Sequence, residues 1–274
     1  MLKLFEKELE PALTEVNLLQ DCMGLQGEIF REVESRRTLK FYVGDRAYFL
    51  KLHLGAGWKE IIKNLLQLRL PVLGARNELL AIRKVEVLGV RTLTAVAYAA
   101  EGNNPATIHS CLITRSLENT RSLEELAKDG QISTPLRRRL VTQIANTSRT
   151  LHTGGVNHRD FYICHFLMDM DTFNHDSPLL YLIDLHRAQI RANTPQRWRV
   201  KDVSGLLFSA IDFGLTRNDI YRFVKIYSGK SLRQTLREDS DFWSQVLSRA
   251  ESLYRKDHGM DNQRLTELSV ATRA

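Results

Sequence analysis

The stretch VNHRDFYICH, residues 156–165, decides the fold of this chain because a reactive tripeptide follows directly on a predicted helix. Ser133-Thr134-Pro135 predicts the start of that helix, since serine caps helices well and proline suits the first turn. The helix extends to His152 and stops at Gly154-Gly155. Asp160 therefore lies in a loop just after a helix, where a carboxylate can act as a base.

The same stretch matches the catalytic loop of protein kinases, which reads H-R-D-x-x-x-x-N. His158-Arg159-Asp160 keeps the tripeptide intact, and His165 stands where the loop has its metal-binding asparagine. An imidazole nitrogen can coordinate a divalent cation or hold a phosphate oxygen, although a hard cation prefers oxygen ligands. We predict that Asp160 is the catalytic base and that His165 is a metal or phosphate contact.

Phosphoryl transfer also needs a carboxylate that holds the metal ion beside the phosphates, and two aspartates compete for this role. Asp184 follows the apolar run 179–183, which predicts a strand. Asp212 belongs to a literal Asp-Phe-Gly, but residues 203–211 have helical spacing and place it at a helix C-terminus. That end of a helix carries partial negative charge, which disfavours a metal-binding carboxylate. We predict that Asp184 binds the metal.

The first half of the chain supplies a candidate pair for the phosphates of ATP. Residues 41–53 predict a β-hairpin that turns at Gly44-Asp45, with Lys51 at the end of the second strand. Residues 75–88 predict a helix that carries Glu78 and ends at Gly89. In kinases a strand lysine contacts the phosphates and a helix glutamate pairs with it. We predict these roles for Lys51 and Glu78.

One expected element is missing from the first half of the chain. No G-x-G-x-x-G sequence precedes Lys51, and the corresponding segment, residues 35–38, reads Ser-Arg-Arg-Thr. Arginine side chains there can do part of what glycine backbone amides do for phosphates. This departure separates the chain from an ordinary protein kinase.

The order of the predicted elements indicates two unlike lobes. Strands at residues 90–99 and 109–115 follow the hairpin and its one helix, whereas the chain after Ser116 is mostly helical. Ser122 and Glu125 predict a capping box at the first of these later helices. We predict an α+β, bilobal, protein-kinase-like fold, with a small, mostly β N-lobe over residues 1–118 and a mostly α C-lobe over 119–274.

Composition narrows the class of protein. Apolar residues make up 43% and charged residues 26%, which is ordinary for a globular protein. The three cysteines form no C-x-x-C pair, so neither a disulfide framework nor a structural zinc site is expected. Neither a signal peptide nor a membrane span is predicted, and a cytoplasmic location is expected. The net charge of +7 favours acidic partners.

The sequence resembles the lipopolysaccharide core heptose(I) kinases of Gram-negative bacteria. The matching stretches extend from Gln26 to Arg237, and residues 156–166 form the most specific block. In that family the catalytic loop ends in histidine, so His165 fits, whereas Phe161 stands where the family usually has cysteine. The other matching stretches are 57–61, 63–64, 70–76, 183–188 and 197–199.

The resemblance implies the substrate, cofactors and partners. It implies transfer of phosphate from ATP, with Mg²⁺, to the first heptose of the inner core of a lipid A-core glycolipid. It implies a cytoplasmic protein held peripherally on the anionic cytosolic face of the inner membrane. Some relatives are associated with acyl carrier protein, which is an acidic partner, and nucleic acid is not expected as a partner.

Two alternatives remain open at this point. The first is a kinase of another small, sugar-like acceptor, since such kinases share the logic of Asp160 and Asp184. The second is a regulatory pseudokinase that binds nucleotide, which the missing glycine-rich loop and His165 would motivate. The intact set of Lys51, Glu78, Asp160 and Asp184 argues against the second alternative.

Overall fold

A computed structural model describes residues 3–33, 35–66 and 74–273 of the chain. The chain divides into two compact units. Unit 1 comprises Met1–Arg83, Thr92–Glu118 and Leu185–Arg187, and unit 2 comprises Lys84–Arg91, Asn119–Asp184 and Ala188–Ala274. Part of one matching stretch, residues 70–73, lies outside the described residues.

Unit 1 is built on a six-stranded antiparallel sheet with the order β1-β5-β6-β4-β3-β2. The hairpin β3–β4 turns at Gly44-Asp45, where Val43 pairs with Arg46 and Gly44 adopts a positive φ of 58°. The turn prediction is therefore confirmed. The strands of the sheet are β1 (Leu4–Phe5), β2 (Glu28–Val33), β3 (Arg36–Val43), β4 (Arg46–Leu54), β5 (Ala95–Glu101) and β6 (His109–Arg115).

Among the described residues, three α-helices accompany this sheet: α1 (Leu18–Gly24), α2 (Gly57–Leu66) and α3 (Arg76–Val87). The core of unit 1 combines apolar residues of α1 with inward positions of the sheet, such as Leu39, Leu50 and Leu52. The helix predicted at 75–88 is confirmed as α3, and Gly89 follows it at a positive φ of 75°. The last turn of α3, from Lys84, is grouped with unit 2.

Three predictions for this half of the chain are wrong. The strand predicted at residues 90–99 begins only at Ala95, so residues 90–94 lie before β5. The strand with Lys51 continues to Leu54, since Leu54 still pairs with His109 of β6. The single predicted helix has two companions, the seven-residue helix α1 and helix α2, although Trp58, Ile62 and Leu66 of α2 already recur at helical spacing in the sequence.

Unit 2 is mostly helical, and its capping residues act as the sequence predicts. Ser133 caps α5 (Thr134–Thr153) by accepting a hydrogen bond from the Leu136 amide. Ser122 and Glu125 form a full capping box at α4 (Leu123–Lys128). The remaining helices are α6 (Gln196–Ala210), α7 (Arg217–Ser228), α8 (Leu232–Glu238), α9 (Ser240–His258) and α10 (Gln263–Arg273).

Apolar side chains pack several of these helices against one another. α6 packs on α9 through Val200, Val203 and Trp243, and α5 packs on α7. Two small antiparallel sheets complete unit 2, with the strands β7 (Thr120–Ser122), β8 (Val156–Asn157), β9 (Phe166–Asp169), β10 (Leu180–Leu182) and β11 (Gln189–Ile190). No helix within the described ranges is long and apolar enough to cross a membrane.

Candidate active site

Unit 1 brings Lys51 and Glu78 together. The Lys51 ammonium donates to a Glu78 carboxylate oxygen at 2.5 Å. Glu78 lies in the first turn of α3 and is 1% exposed, so its carboxylate contacts the Lys51 ammonium away from solvent. A buried carboxylate without its cation is strongly unfavourable, and the pair therefore fixes the lysine side chain.

A cationic face surrounds Lys51 on the sheet. Residues two positions apart on a strand share a face, so Lys51 and His53 lie on the same side of β4. Thr38 pairs with Lys51 and Arg36 pairs with His53, which adds Arg36 to that face. Burial, together with the charges of Arg36 and Lys51, lowers the pKa of His53 to about 3. His53 is therefore neutral at physiological pH beside two cations.

The two arginines of the segment that replaces a glycine-rich loop differ in position. Arg36 shares the face of Lys51, whereas Arg37 is the next residue along β3 and lies on the opposite face. The Arg37 Nε lies 3.4 Å from a Glu32 oxygen across the β2–β3 pair. Arg36 is thus the arginine of this segment that lies on the same face of the sheet as Lys51.

In unit 2 a buried carboxylate fixes the backbone of the predicted catalytic loop. Asp202 of α6 is 1% exposed and accepts hydrogen bonds from the amides of His158 at 2.6 Å and Arg159 at 2.8 Å. Arg159 has a φ of 75°, which is unfavourable for a side chain other than glycine. The hydrogen bonds of Asp202 hold this strained conformation immediately before Asp160.

His152, near the end of α5, extends the same network. One ring nitrogen lies 2.8 Å from the Tyr227 hydroxyl, and the other lies 3.3 Å from an Asp202 oxygen. Phe161 is 1% exposed and packs against His158 at 5.6 Å between ring centroids. Buried side chains of α5, α6 and α7 therefore support the loop.

His158 connects the loop to the segment that carries Asp184. Its Nε2 lies 2.9 Å from the Ile183 carbonyl oxygen. Burial lowers the pKa of His158, so its ring is neutral and Nε2 carries the proton that is donated to this carbonyl. Asp184 follows at a φ of 63°, a second strained position beside the loop.

His165 lies between Asp160 and Asp184. Its Nδ1 donates to the Asp160 carbonyl oxygen at 2.7 Å, and its Nε2 lies 3.5 Å from an Asp184 oxygen. Its ring stacks on His158, with centroids 5.7 Å apart. Burial disfavours the charged ring, but hydrogen bonds with Cys164 and with the Asp160 carbonyl, and the Asp184 charge, raise the pKa of His165 to about 9.

The donor set of this cluster fits a magnesium ion shared with phosphates. Among the described residues no group of three or more His, Cys, Asp or Glu side chains is arranged to hold a metal. Mg²⁺ in kinases is usually held by one or two protein groups, with phosphate oxygens and waters completing the shell. Asp184 would hold the ion through one such group, and His165 would be a second ligand only with its Nε2 deprotonated.

Asp212 occupies a different environment. α6 ends at Ala210, and Asp212 lies beyond its C-terminus, where its carboxylate accepts from the Asn262 amide at 2.9 Å and the Tyr254 hydroxyl at 3.3 Å. Gly214 follows at a φ of 74°. The prediction that the Asp-Phe-Gly sequence lies at a helix end is confirmed, and neighbouring side chains already hold this carboxylate.

Asp202 is the residue that sequence reasoning missed. The sequence does contain a signal for Asp202, because this lone carboxylate lies between Val200 and Val203, which are buried apolar residues of the same helix. A buried acid on an apolar helix face demands donors, and loop amides can supply them. The identity of those donors depends on the packing of α6 against the loop, which spacing alone does not reveal.

A hairpin lysine paired with a helix glutamate, and a His-Arg-Asp loop held by a buried aspartate, define an ATP-dependent phosphotransferase of the protein-kinase-like class. The sequence model of the lipopolysaccharide kinase (Kdo/WaaP) family matches residues 20–227. The chain therefore belongs to this family, and the predicted fold class and enzyme class are confirmed. Membership in a kinase family implies that ATP is the phosphate donor.

Relatives of known activity match most of the chain. A lipopolysaccharide core heptose(I) kinase WaaP from Pseudomonas aeruginosa is 48% identical over 237 residues, which are 85% of this chain and 88% of that protein. The protein of the same name from Escherichia coli K12 is 46% identical over 233 residues, 84% of this chain and 88% of the other. A solved structure described as WaaP in complex with acyl carrier protein has a TM-score of 0.79 at 39% identity, covering 93% of this chain and 100% of that one.

Proposed function

We propose that this protein transfers phosphate from ATP to the first heptose of the lipopolysaccharide inner core. The observation that carries the proposal is the 48% identity to a heptose(I) kinase over 85% of the chain. Three features of the chain support it: a lysine with a fixed partner, a loop carboxylate on a braced backbone and a neighbouring aspartate–histidine pair. These are the parts that phosphoryl transfer needs.

Asp160 is the base in this proposal. It accepts the proton of the heptose hydroxyl as that oxygen attacks the terminal phosphorus of ATP. The two amide hydrogen bonds to Asp202 fix the backbone just before Asp160, so that the carboxylate is oriented before the acceptor binds. A positioned base contributes about 10²–10⁴-fold to the rate.

Lys51, Asp184 and His165 act on the phosphates. The Lys51 ammonium, held by Glu78, neutralises phosphate charge in unit 1, and Arg36 on the same face adds a second cation. Asp184 and His165 would hold Mg²⁺, which neutralises charge on the phosphate oxygens when bound. We assign the ATP-binding lysine to an N-lobe over 1–118 and the catalytic loop to a C-lobe over 119–274.

A panel of acceptors tests this function. Purified protein is incubated with γ-labelled ATP and either core glycolipid lacking heptose phosphate, a simple monosaccharide or an aminoglycoside. We expect label on the glycolipid alone. Label on the small sugars instead would support the alternative of a small-acceptor kinase, and ATP binding without transfer to any of the three would support the pseudokinase.

We also propose that the protein docks on the inner membrane through helix α2. Trp58, Ile62 and Leu66 recur every four residues and form one exposed stripe, with 55%, 52% and 80% of each residue exposed. Lys59 and Lys63 accompany the stripe on the same helix. An apolar stripe with tryptophan and nearby lysines is the pattern of helices that lie in the membrane interface. Each lysine near an anionic surface adds about 1 kcal/mol of attraction.

Vesicle sedimentation tests this membrane contact. We expect Trp58→Ser to reduce binding to vesicles that contain anionic phosphatidylglycerol, whereas Val16→Ser, which removes an isolated apolar residue that is 88% exposed, should not. Higher salt should weaken the binding of the unaltered protein, because the lysines are screened. Equal binding by both variants would contradict the assignment of α2.

Acyl carrier protein is a partner that we propose for unit 2. Arg137, Arg138, Arg222 and Lys225 line a groove between α5 and α7, where Asp219 is the one acidic residue among the described lining residues. Arg137 and Arg222 share Asp219, so the groove keeps a net positive charge. An apolar cavity of about 130 Å³, which also touches Asp219, adjoins it and offers space for an acyl group.

The charge of the groove makes the partner proposal testable. We expect Arg138→Glu to weaken binding of purified acyl carrier protein, because the carrier is acidic and the net charge of the groove would fall from +3 to +1. Arg233→Glu on α8 is the matched control, since Arg233 is exposed but lies outside the groove. Unchanged binding by Arg138→Glu at low salt would contradict the proposed groove.

A further inference from the structure

Four cations surround one indole ring beside the catalytic loop. The guanidinium carbons of Arg159, Arg191 and Arg197 and the ammonium of Lys201 lie close to the ring centroid of Trp198. The distances are 5.4, 5.7, 5.3 and 5.8 Å, respectively. All five residues belong to unit 2. We call this group the Trp198 cluster.

The charge of Arg191 has no acidic partner in the cluster. Its guanidinium donates to the Asn157 amide oxygen at 2.6 Å and to the Gln189 amide oxygen at 2.7 Å, and both acceptors are neutral. Within the described part of the chain, neither Arg191 nor Arg197 is in an ion pair. Burial and the charge of Arg197 lower the pKa of Arg191, as expected where like charges meet.

The indole ring does not balance Arg191 and Arg197. Its face attracts cations only weakly, whereas two guanidinium groups on one ring repel each other over a short distance. The Trp198 Nε1 is buried and has no hydrogen-bond partner among the described residues, so it is a further unused donor. Such a group of donors is stabilised when an anion enters.

The position of the cluster indicates which anion that is. Arg159 directly precedes Asp160, and Asn157, which holds Arg191, lies on β8 at the start of the same loop. An anion bound here would be attached to the molecule whose hydroxyl reaches Asp160. Arginine recognises carboxylate and phosphate groups with two parallel hydrogen bonds, which fixes orientation as well as affinity.

We propose that the Trp198 cluster binds an anionic group of the acceptor, a carboxylate or a phosphate close to the phosphorylated hydroxyl. This inference rests on the proposed function and adds the substrate class: an acidic sugar assembly in place of a neutral sugar. The cluster then orients the acceptor against Asp160. A neutral monosaccharide would leave Arg191 and Arg197 without an anionic partner and would bind poorly.

Arg197 offers the cleanest variant, because it is exposed and its loss should leave the fold intact. We expect Arg197→Met to raise KM for the core glycolipid about tenfold or more, the usual effect of losing a charged hydrogen bond. Its KM for ATP should stay within about twofold of the unaltered value, because Arg197 is not among the proposed phosphate contacts. Arg233→Met removes the same charge from exposed α8 and should change neither constant.

Two modified acceptors identify the anion. One has its lipid phosphates removed, and the other has its sugar carboxylates reduced to alcohols. If Arg197→Met no longer raises KM for one of these acceptors, then that acceptor lacks the group that Arg197 binds. An unchanged KM for every acceptor, with the unaltered protein active, would overturn this inference alone. An unaltered protein that phosphorylates none of these acceptors would overturn the proposed function together with the inference.

Discussion

Removing the Asp202 carboxylate should destabilise unit 2 and disable the loop that carries Asp160. Asp202→Ala leaves the buried amides of His158 and Arg159 without an acceptor. Each unsatisfied buried donor costs about 1–3 kcal/mol, so the two together cost about 2–6 kcal/mol. Relief of the buried carboxylate's own desolvation offsets part of this, and we expect a net loss of about 3 kcal/mol.

The loss is measurable as a shift in melting temperature. About 3 kcal/mol corresponds to roughly 6–12 °C for a unit of this size. Asp212→Ala is the matched control, because this aspartate lies just after the C-terminus of α6 and is 46% exposed at its side chain. That change removes the hydrogen bonds with Asn262 and Tyr254 and should cost no more than about 1 kcal/mol.

Calorimetry on both variants, followed by kinetics on Asp202→Asn, separates stability from positioning. The asparagine side chain keeps the shape of the aspartate but turns an amide donor toward one of the two loop amides. We therefore expect Asp202→Asn to lower kcat more than it raises KM for ATP. Equal melting temperatures for Asp202→Ala and Asp212→Ala would refute the role given to the buried hydrogen bonds.

Three further substitutions test the residues that act on the phosphates. Asp184→Asn should abolish Mg²⁺-dependent transfer while Asp212→Asn stays active, and the opposite ranking in an ADP-release assay would assign the metal to Asp212. Glu78→Gln should raise KM for ATP less than Lys51→Ala does, since it removes only the buried partner of the lysine. An equal KM for ATP in the two variants and the unaltered protein would exclude the pair from ATP binding. His165→Asn should retain substantial activity and shift the Mn²⁺/Mg²⁺ preference, because imidazole suits the softer ion. If metal titrations show an unchanged preference in both His165→Asn and His165→Ala, then His165 only braces the catalytic loop.

Local signals predicted the elements that are specified locally. Capping at Ser122 and Ser133, the turn at Gly44-Asp45 and the helix end before Asp212 all depend on residues within one turn, and the structure agrees with each of them. The Lys51–Glu78 pair was predicted from motif order, and the ion pair is present. Such features need no knowledge of how distant segments pack.

What could not be predicted depends on long-range packing. Asp202 meets the loop amides 43 and 44 positions away, and no spacing rule connects a helix acid to those donors. The Trp198 cluster brings together cations from three segments of unit 2. The start of β5 at Ala95 is set by its pairing with β6, which overrides the strand propensity of Val90 and its neighbours.

The turnover of Asp160→Ala with core glycolipid as the acceptor decides whether Asp160 is the base. The variant should melt within a few degrees of the unaltered protein and should still bind ATP, because the hydrogen bonds that Asp202 accepts from the loop are left in place. Phosphate on the heptose, located by mass spectrometry, should form about 10²–10⁴-fold more slowly than with the unaltered protein. A folded Asp160→Ala protein that phosphorylates heptose at a near-normal rate would contradict the assignment of Asp160 as the base.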